Sequence, residues 1–204
     1  MNYSICVSGA AAGDTVAKSH VLAERLGAAI AKSGHILTTG ATVGLPLYAA
    51  RAAREAGGRS IGFSPAASLR EHVNKYRLPI GFYDFVNFTG MHYVGRDVFL
   101  VQSSDAVITL GGRFGSLHEF TTALESRMPC GVLLDSGGAA DLIPDLMRKL
   151  KAPNEKLVLF DNNPERLVKR LVALLDSEMK DLNTKTIEQE WFIKAEEDIS
   201  HHNG

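Results

Sequence analysis

Short apolar runs alternate along the chain with longer amphipathic segments, and this alternation predicts an α/β fold. The apolar runs are rich in β-branched and aromatic residues, which favours strands. They span residues 3–7, 35–38, 59–63, 83–88, 106–110, 131–134 and 157–160. The run Ala106–Leu110 contains only apolar and β-branched residues, as is typical of a strand that is buried on both faces of a parallel sheet.

Between these runs, apolar residues recur at the spacing of one helix face. The predicted helices span residues 16–32, 45–56, 90–103, 116–127, 139–150 and 164–176. A helix between two strands carries the chain back to the edge where the first strand began, so that the second strand can pair parallel to the first. The pattern therefore predicts a single doubly wound, Rossmann-like domain over residues 1–176, with a mostly parallel sheet of about seven strands. Residues 64–82 interrupt the pattern and predict a surface loop with one helical turn, and residues 177–204 predict a polar C-terminal extension, helical over 186–198.

Three glycine-rich turns, at residues 8–13, 39–44 and 111–115, each follow a predicted strand. The carboxyl ends of parallel strands meet at one edge of a sheet, so we expect the three turns to gather there. Glycine lets a ligand approach the backbone, and the unpaired N–H groups of the first helical turn bind anions such as phosphate. The turns therefore indicate a phosphate site.

A structural interpretation of the third turn is also open. Ser116 and Glu119 have the spacing of a capping box, in which serine caps the helix and glutamate reaches back to the backbone. A capping box needs no ligand, and Arg96 could form a purely structural ion pair with Glu119. The residues alone leave both interpretations standing.

Composition excludes several classes of function. The 204 residues carry a net charge of −1 and no basic stripe, so we expect no nucleic-acid partner. Cys6 and Cys130 lie in or beside apolar runs and predict reduced core thiols, and no Cys or His cluster has metal-ligand spacing. No apolar run approaches the ~20 residues that span a membrane, and the first residues do not form a signal peptide. We expect a cytoplasmic protein without metal, cofactor or membrane partner.

Four stretches resemble a known group of proteins. They are I-C-V-S-G at 5–9, T-G-A-T-V-G-L at 39–45, E-A-G-G-R-S-I-G at 55–62 and R-D-V-F-L-V-Q-S-S-D-A-V-I-T-L-G-G-R-F-G-S-L-H-E at 96–119. These stretches are similar to the Lonely Guy family of nucleotide phosphoribohydrolases and its relatives that carry a lysine decarboxylase label. The resemblance is closer to the branch that is related to DNA-processing protein A and to the molybdenum-cofactor carrier protein.

The glycine turn matches the signature of this group, P-G-G-x-G-T-x-x-E, at four positions. The matching residues are Gly112, Gly115, Ser116 (in place of Thr) and Glu119, and Arg96 falls where the group has an upstream arginine. Two positions depart from the signature. Gly111 replaces proline, and Arg113 replaces the second glycine, where it adds a phosphate contact or narrows the pocket.

The resemblance implies that the chain hydrolyses the N-glycosidic bond of a nucleoside 5′-monophosphate and needs no cofactor or metal. Glu119 would stabilise the ribosyl cation, and Arg96 would hold Glu119 ionised and bind the sugar or phosphate. The implied phosphate- and nucleotide-binding residues are Ser8, Gly9, Gly40, Gly44, Gly112, Arg113, Gly115 and Ser116. The alternative is a non-catalytic carrier or sensor of a nucleotide-like ligand such as molybdenum cofactor. No lysine stands out as a pyridoxal-phosphate site, so the decarboxylase label lacks support.

The predicted helix at 90–103 is apolar on two sides, which is typical of a helix that is buried on its own sheet and on a partner. One face carries Met91, Val94, Val98 and Val101. Phe99 lies roughly opposite, with Leu100 near it. Since the resemblance implies dimers with sites near the subunit interface, we expect a homodimer or a higher homo-oligomer with Phe99 or Leu100 at the contact.

Overall fold

A single seven-stranded parallel sheet confirms the predicted doubly wound fold. The computed structural model describes residues 2–152 and 154–182. Its strands are β1 (Ser4–Gly9), β2 (Ile36–Thr39), β3 (Arg59–Ser64), β4 (Phe85–Phe88), β5 (Ala106–Leu110), β6 (Cys130–Leu133) and β7 (Val158–Asp161). Their order is β4-β3-β2-β1-β5-β6-β7, and every neighbouring pair is parallel. The strand order reverses between β1 and β5, which is where ligands bind in such sheets.

Helices cover both faces of the sheet. They are α1 (Asp14–Lys32), α2 (Leu45–Glu55), α3 (Leu69–Asn74), α4 (His92–Gln102), α5 (Phe114–Glu125), α6 (Gly138–Leu150) and α7 (Pro164–Glu178), with one 3-10 turn at Glu155–Leu157. Helices α1, α2 and α7 contribute to one buried apolar cluster, through residues such as Leu26, Ala49 and Leu171. Helices α4, α5 and α6 contribute to the other, through residues such as Leu100 and Phe120. Within the described residues, no helix combines the length and apolar character that crossing a membrane requires.

The two cysteines are free and buried, as predicted. The loop predicted at 64–82 contains α3, a six-residue helix in which Ser68 Oγ accepts a hydrogen bond from the backbone N–H of Glu71. The extension predicted from residue 177 begins inside α7, and residues 183–204, with the predicted helix at 186–198, lie outside the described residues.

The predicted apolar faces of α4 are only partly correct. Val101 is buried as predicted, but Met91 and Val94 are exposed, and Arg96 and Asp97 take up part of the buried face. Leu100 is fully buried in its own core, so of the two residues predicted at a partner contact only Phe99 is exposed, and the contact itself stays a prediction. The helix turns two charged residues inward because their partners lie on α5.

Candidate functional site

The turns that follow β1, β2 and β5 meet at the carboxyl edge of the sheet and line one cleft with α4 and α5. The cleft has a volume of about 270 Å³. Its lining includes seven of the residues that the sequence analysis selected: Gly9, Gly40, Arg96, Arg113, Gly115, Ser116 and Glu119. It also includes Ala10, Ala11, Thr42, Pro46, Tyr93 and Asp97. The expected gathering of the three turns is confirmed.

The turn between β5 and α5 has the backbone that an anion site requires. Gly111 and Gly112 adopt positive φ angles of 57° and 88°, which residues other than glycine rarely adopt. Helix α5 then begins at Phe114, and its N-cap residue, Arg113, makes no side-chain capping bond. The first-turn N–H groups therefore point outward without an intrahelical acceptor.

The predicted capping box is wrong. Ser116 lies inside the first turn of α5 and does not precede it. The carboxylate of Glu119 turns away from the helix end, accepts a hydrogen bond from Ser8 Oγ and pairs with Arg96. Ser116 and Glu119 have the spacing of a capping box, but the N-cap position of α5 is occupied by Arg113. The match to the capping-box pattern is therefore a coincidence.

Arg96, Asp97 and Glu119 form a buried charged cluster at the floor of the cleft. Nη1 of Arg96 lies 3.1 Å from Oδ1 of Asp97 and 3.3 Å from Oε1 of Glu119. The three side chains are only 5–10% exposed. The second oxygen of Asp97 lies 3.3 Å from Nδ1 of His118, which is at the surface. One guanidinium thus faces two carboxyl groups, which leaves the cluster short of positive charge.

Burial and the neighbouring Asp97 raise the pKa of Glu119 to about 7, although Arg96 and the hydrogen bond from Ser8 act in the opposite direction. Removing water from a carboxylate destabilises its charged form. Arg96 thus acts in the expected direction on Glu119, but burial and Asp97 outweigh it and keep the pKa above its ordinary value. A pKa near neutral is the range that suits a general acid or base.

Gly40 is part of the same arrangement. A Cβ atom at Gly40 would overlap Nη1 of Arg96 and lie 2.6 Å from its Cζ. The guanidinium thus packs directly on the backbone of the turn that follows β2. Nε of Arg96 is buried and has no hydrogen-bond partner among the described residues, so packing and the two carboxyl groups hold this side chain.

Three predicted binding residues do not line the cleft. Ser8 is bonded to Glu119. Gly44 adopts a φ of 79° before α2, and a Cβ there would lie 2.6 Å from Cα of Ala11, so it lets the first two turns pack together. Gly112 packs against Ser116 and borders a neighbouring groove. A ligand-binding role for these three stays a prediction.

Of the lining residues that sequence reasoning did not select, two carry side chains suited to ligand binding or catalysis, Tyr93 and Asp97. The available signal was the pair Arg96-Asp97, two adjacent charges inside the apolar helix Y-V-G-R-D-V-F-L-V. A buried cation in such a helix requires a nearby anion, and Asp97 was its neighbour in sequence. Tyr93 gave no comparable signal, because one aromatic residue at a helix start is compatible with many environments.

Known proteins share this arrangement of elements. A molybdenum cofactor-binding protein from Rippkaea orientalis has 27% sequence identity and a TM-score of 0.69, and the match covers 86% of this chain and 98% of that one. The molybdenum cofactor carrier protein from Chlamydomonas reinhardtii has 27% identity and a TM-score of 0.65, with 85% and 99% covered. An uncharacterised protein of Archaeoglobus fulgidus is 32% identical over 114 residues, which are 56% of this chain and 70% of that protein.

The match to a family description covers the whole site. Residues 2–168 match the SLOG cluster4 family, and this range contains all seven strands and every residue that lines the cleft. The resemblance to the molybdenum-cofactor carrier branch of Rossmann-like proteins is confirmed by the two carrier-type structures. The chain therefore belongs to the SLOG cluster4 family.

Proposed function

We propose that the chain binds a nucleoside 5′-monophosphate in this cleft and hydrolyses its N-glycosidic bond. The observation that carries the proposal is the buried cluster of Arg96, Asp97 and Glu119, which lies beside the open first turn of α5. The helix end suits the phosphate, and the cluster supplies a proton-exchanging carboxyl group where the sugar would lie.

The phosphate is bound by backbone N–H groups and by Arg113. The N–H groups of the first turn of α5 carry the positive end of the helix dipole, which favours an anion. Ser116 and Gly115 line the cleft at this turn, and Gly9 lines it from the end of β1. Arg113 stands at the start of α5 and supplies the full positive charge that compensates a phosphate.

The two carboxyl groups divide the chemistry of bond cleavage. As the bond between ribose and base breaks, the protonated carboxyl of Glu119 gives its proton to the departing ring nitrogen. The negative charge of the Glu119 and Asp97 carboxylates then stabilises the ribosyl cation. Water adds to the cation and returns one proton to the carboxylate. One water is consumed, and free base and ribose 5-phosphate are released, so the cycle needs no other reactant.

Incubation with the common nucleoside 5′-monophosphates tests this proposal. Chromatography is expected to show free base and ribose 5-phosphate in equal amounts from at least one of them. Nucleosides without the phosphate are expected to remain intact, since they lack the group that the helix end binds. Intact nucleotides in every mixture would contradict the enzymatic proposal.

A carrier of a nucleotide-like ligand is the second candidate. The two relatives that are described as molybdenum cofactor-binding and carrier proteins are 27% identical to this chain over nearly their whole lengths, which supports it. Such a protein needs the same anion site but no turnover. Tight binding of a phosphorylated ligand without any release of base would favour this candidate.

Arg113 provides a test of the phosphate site. Arg113→Gly restores the glycine of the signature and removes one charge-assisted contact, which is worth about 1.5–3 kcal/mol. We expect calorimetry to show weaker binding of nucleoside monophosphates and unchanged binding of nucleosides. Arg127→Gly is the matched control, because Arg127 has a φ of 56° beyond the far end of α5 and glycine tolerates that backbone. Unchanged nucleotide affinity in Arg113→Gly would show that this side chain is a bystander.

A homodimer is expected to form through the exposed face of α4. Val94, Phe99 and Met91 are 71%, 47% and 43% exposed. We expect light scattering to give a dimer or a larger assembly, and Val94→Asp to reduce the mass because a charge enters the contact. Leu142→Asp on α6 is the control, since Leu142 is similarly exposed. A monomeric parent protein at micromolar concentration would contradict the prediction.

A further inference from the structure

The cleft is small and open for a ligand of nucleotide size. Its volume of about 270 Å³ lies below the range of roughly 300–1,000 Å³ that is usual for ligand pockets. Arg96, Asp97 and Glu119 form its floor, and the first turn of α5 forms one wall. A ligand with its phosphate and sugar at these groups must extend its remaining part towards the mouth.

Tyr93 lies at that mouth. It lines the cleft, and 48% of its surface is exposed. Tyr93 precedes Arg96 by three residues on α4, so the two side chains share one side of the helix. The aromatic ring therefore lies about one helical turn from Arg96 along α4, and it is exposed whereas Arg96 is buried. This is the position that a ring attached to the sugar would reach.

Neighbouring side chains hold Tyr93 in place. Its ring is nearly perpendicular to the ring of Tyr76, with 5.6 Å between the centroids. The hydroxyl of Tyr76 forms a 2.7 Å hydrogen bond with Nδ1 of His92, and Nζ of Lys75 lies 5.3 Å from the centroid of the same ring. Tyr76 is thus fixed on two sides and supports Tyr93. An aromatic side chain that is held but half exposed loses little conformational freedom when a ligand stacks on it.

We propose that Tyr93 is an aromatic subsite that stacks the planar heteroaromatic ring, a nucleobase or a pterin, of the phosphorylated ligand. This inference rests on the proposed binding of a nucleotide-like ligand in the cleft. Stacking on a tyrosine face recognises a flat ring without selecting one base, because every such ring offers a π face. The subsite would let the cleft favour a nucleotide over a sugar phosphate.

Phe114 is an exposed aromatic residue beside the start of α5. It is 87% exposed and lines a separate groove between α5 and α6, of about 500 Å³. That groove shares Arg113 with the cleft, but neither Arg96 nor Glu119 lines it. A ring on Phe114 would thus lie away from the charged floor, on the other side of the start of α5. Tyr93 and the floor, in contrast, line the same cleft.

Calorimetric titration with adenosine 5′-monophosphate, ribose 5-phosphate and neopterin monophosphate tests the subsite. The proteins are the full-length parent, Tyr93→Ala, Tyr93→Phe and Phe114→Ala, and chromatography after each titration reports how much nucleotide is intact. Tyr93→Ala is expected to weaken binding of the preferred ring-bearing ligand roughly 10- to 100-fold. Its affinity for ribose 5-phosphate should be unchanged. Tyr93→Phe retains the ring face and should bind like the parent, as should Phe114→Ala.

Other outcomes overturn the inference in distinguishable ways. If Phe114→Ala shows the loss and Tyr93→Ala does not, the ring lies in the groove between α5 and α6. If the parent binds the ring-bearing ligands no more tightly than ribose 5-phosphate, the phosphate site stands but the aromatic subsite fails. If the parent binds none of the three ligands, the proposed function fails together with the subsite. When the subsite holds, the ratio between the nucleotide and the neopterin affinities identifies which ring it accepts.

Discussion

Glu119→Gln is expected to reduce the release of base by two orders of magnitude or more and to leave the fold intact. Glutamine has the shape of the protonated glutamic acid, and its carbonyl still accepts the hydrogen bond from Ser8. It can neither donate an acidic proton to the base nor carry the negative charge that a ribosyl cation requires. Removal of one preorganised electrostatic group costs about 10²–10³ in rate in other enzymes. Nucleotide binding should persist, because the proposed phosphate contacts are on α5.

The same substitution should change how stability depends on pH. The pKa of Glu119 is about 7 in the folded protein and 4.5 in ordinary surroundings. The folded state therefore holds this proton over a range in which the unfolded state has lost it, and the stability of the parent falls as pH rises from about 4.5 to about 7. At 1.36 kcal/mol per pKa unit, the ionisation of Glu119 costs on the order of 3 kcal/mol. Glu119→Gln removes this dependence.

Denaturant unfolding of both proteins at pH 5 and pH 8 measures the effect. The parent should lose more stability than Glu119→Gln between the two values. Glu55→Gln is the control, since Glu55 lies at the exposed end of α2 and pairs only with Arg51 among the described residues. Retention of full activity by Glu119→Gln would show that this residue is not the catalytic carboxyl group. Parallel stability curves would show that its pKa is ordinary.

Gly40→Ala is expected to have the second largest effect, a loss of ligand binding and turnover without unfolding. The new methyl group would occupy the space of the Arg96 guanidinium. This guanidinium is the flexible end of a side chain, so it moves before the backbone does, and the two carboxyl groups lose their cation. Leaving a buried charge unpaired typically costs about 3–5 kcal/mol. Protonation of Asp97 and Glu119 offsets part of this cost, so the protein should be less stable at pH 8 than at pH 5.

Gly81→Ala is the matched control for this substitution. A methyl group at Gly81 would extend into open space, on a backbone that alanine tolerates, in the loop before β4. The melting temperature and ligand affinity of this variant should equal those of the parent. If Gly40→Ala binds nucleoside monophosphates with parental affinity, Arg96 is not needed in the position that the structure gives it.

The fold could be predicted from the sequence because each strand and turn is marked by a local sequence pattern. The strand Ala106–Leu110 is buried along its whole length, as its uniformly apolar and β-branched composition predicted. The glycine turns had to follow strands, and parallel pairing then placed them at one edge. Helix α4 was less predictable, because its orientation depends on partners from α5. Periodicity favours turning Met91 and Val94 inward, whereas the structure buries Arg96 and Asp97 with Glu119.

The site was accessible only in part. Arg96 and Glu119 were selected from the resemblance and do meet, 23 residues apart in sequence. The charge state of Glu119 was not predictable, since it depends on burial and on the carboxyl group of Asp97, which no spacing rule indicates. Gly40 was selected as a phosphate contact, but a Cβ atom at this position would meet the guanidinium of Arg96 first. A function that is assigned to a single glycine from a motif must therefore be checked against the packing around that glycine.

A crystal structure of the protein with ribose 5-phosphate tests the central claim most directly. This compound is a product of the proposed reaction, so it stays intact in the crystal. We expect its phosphate to accept hydrogen bonds from the first-turn N–H groups of α5 and its anomeric carbon to lie beside Glu119. The surface hollow with Arg148, Lys151 and Lys156 offers a competing set of cations. A phosphate bound in that hollow, with nothing in the cleft, would contradict the assignment of the cleft as the nucleotide site.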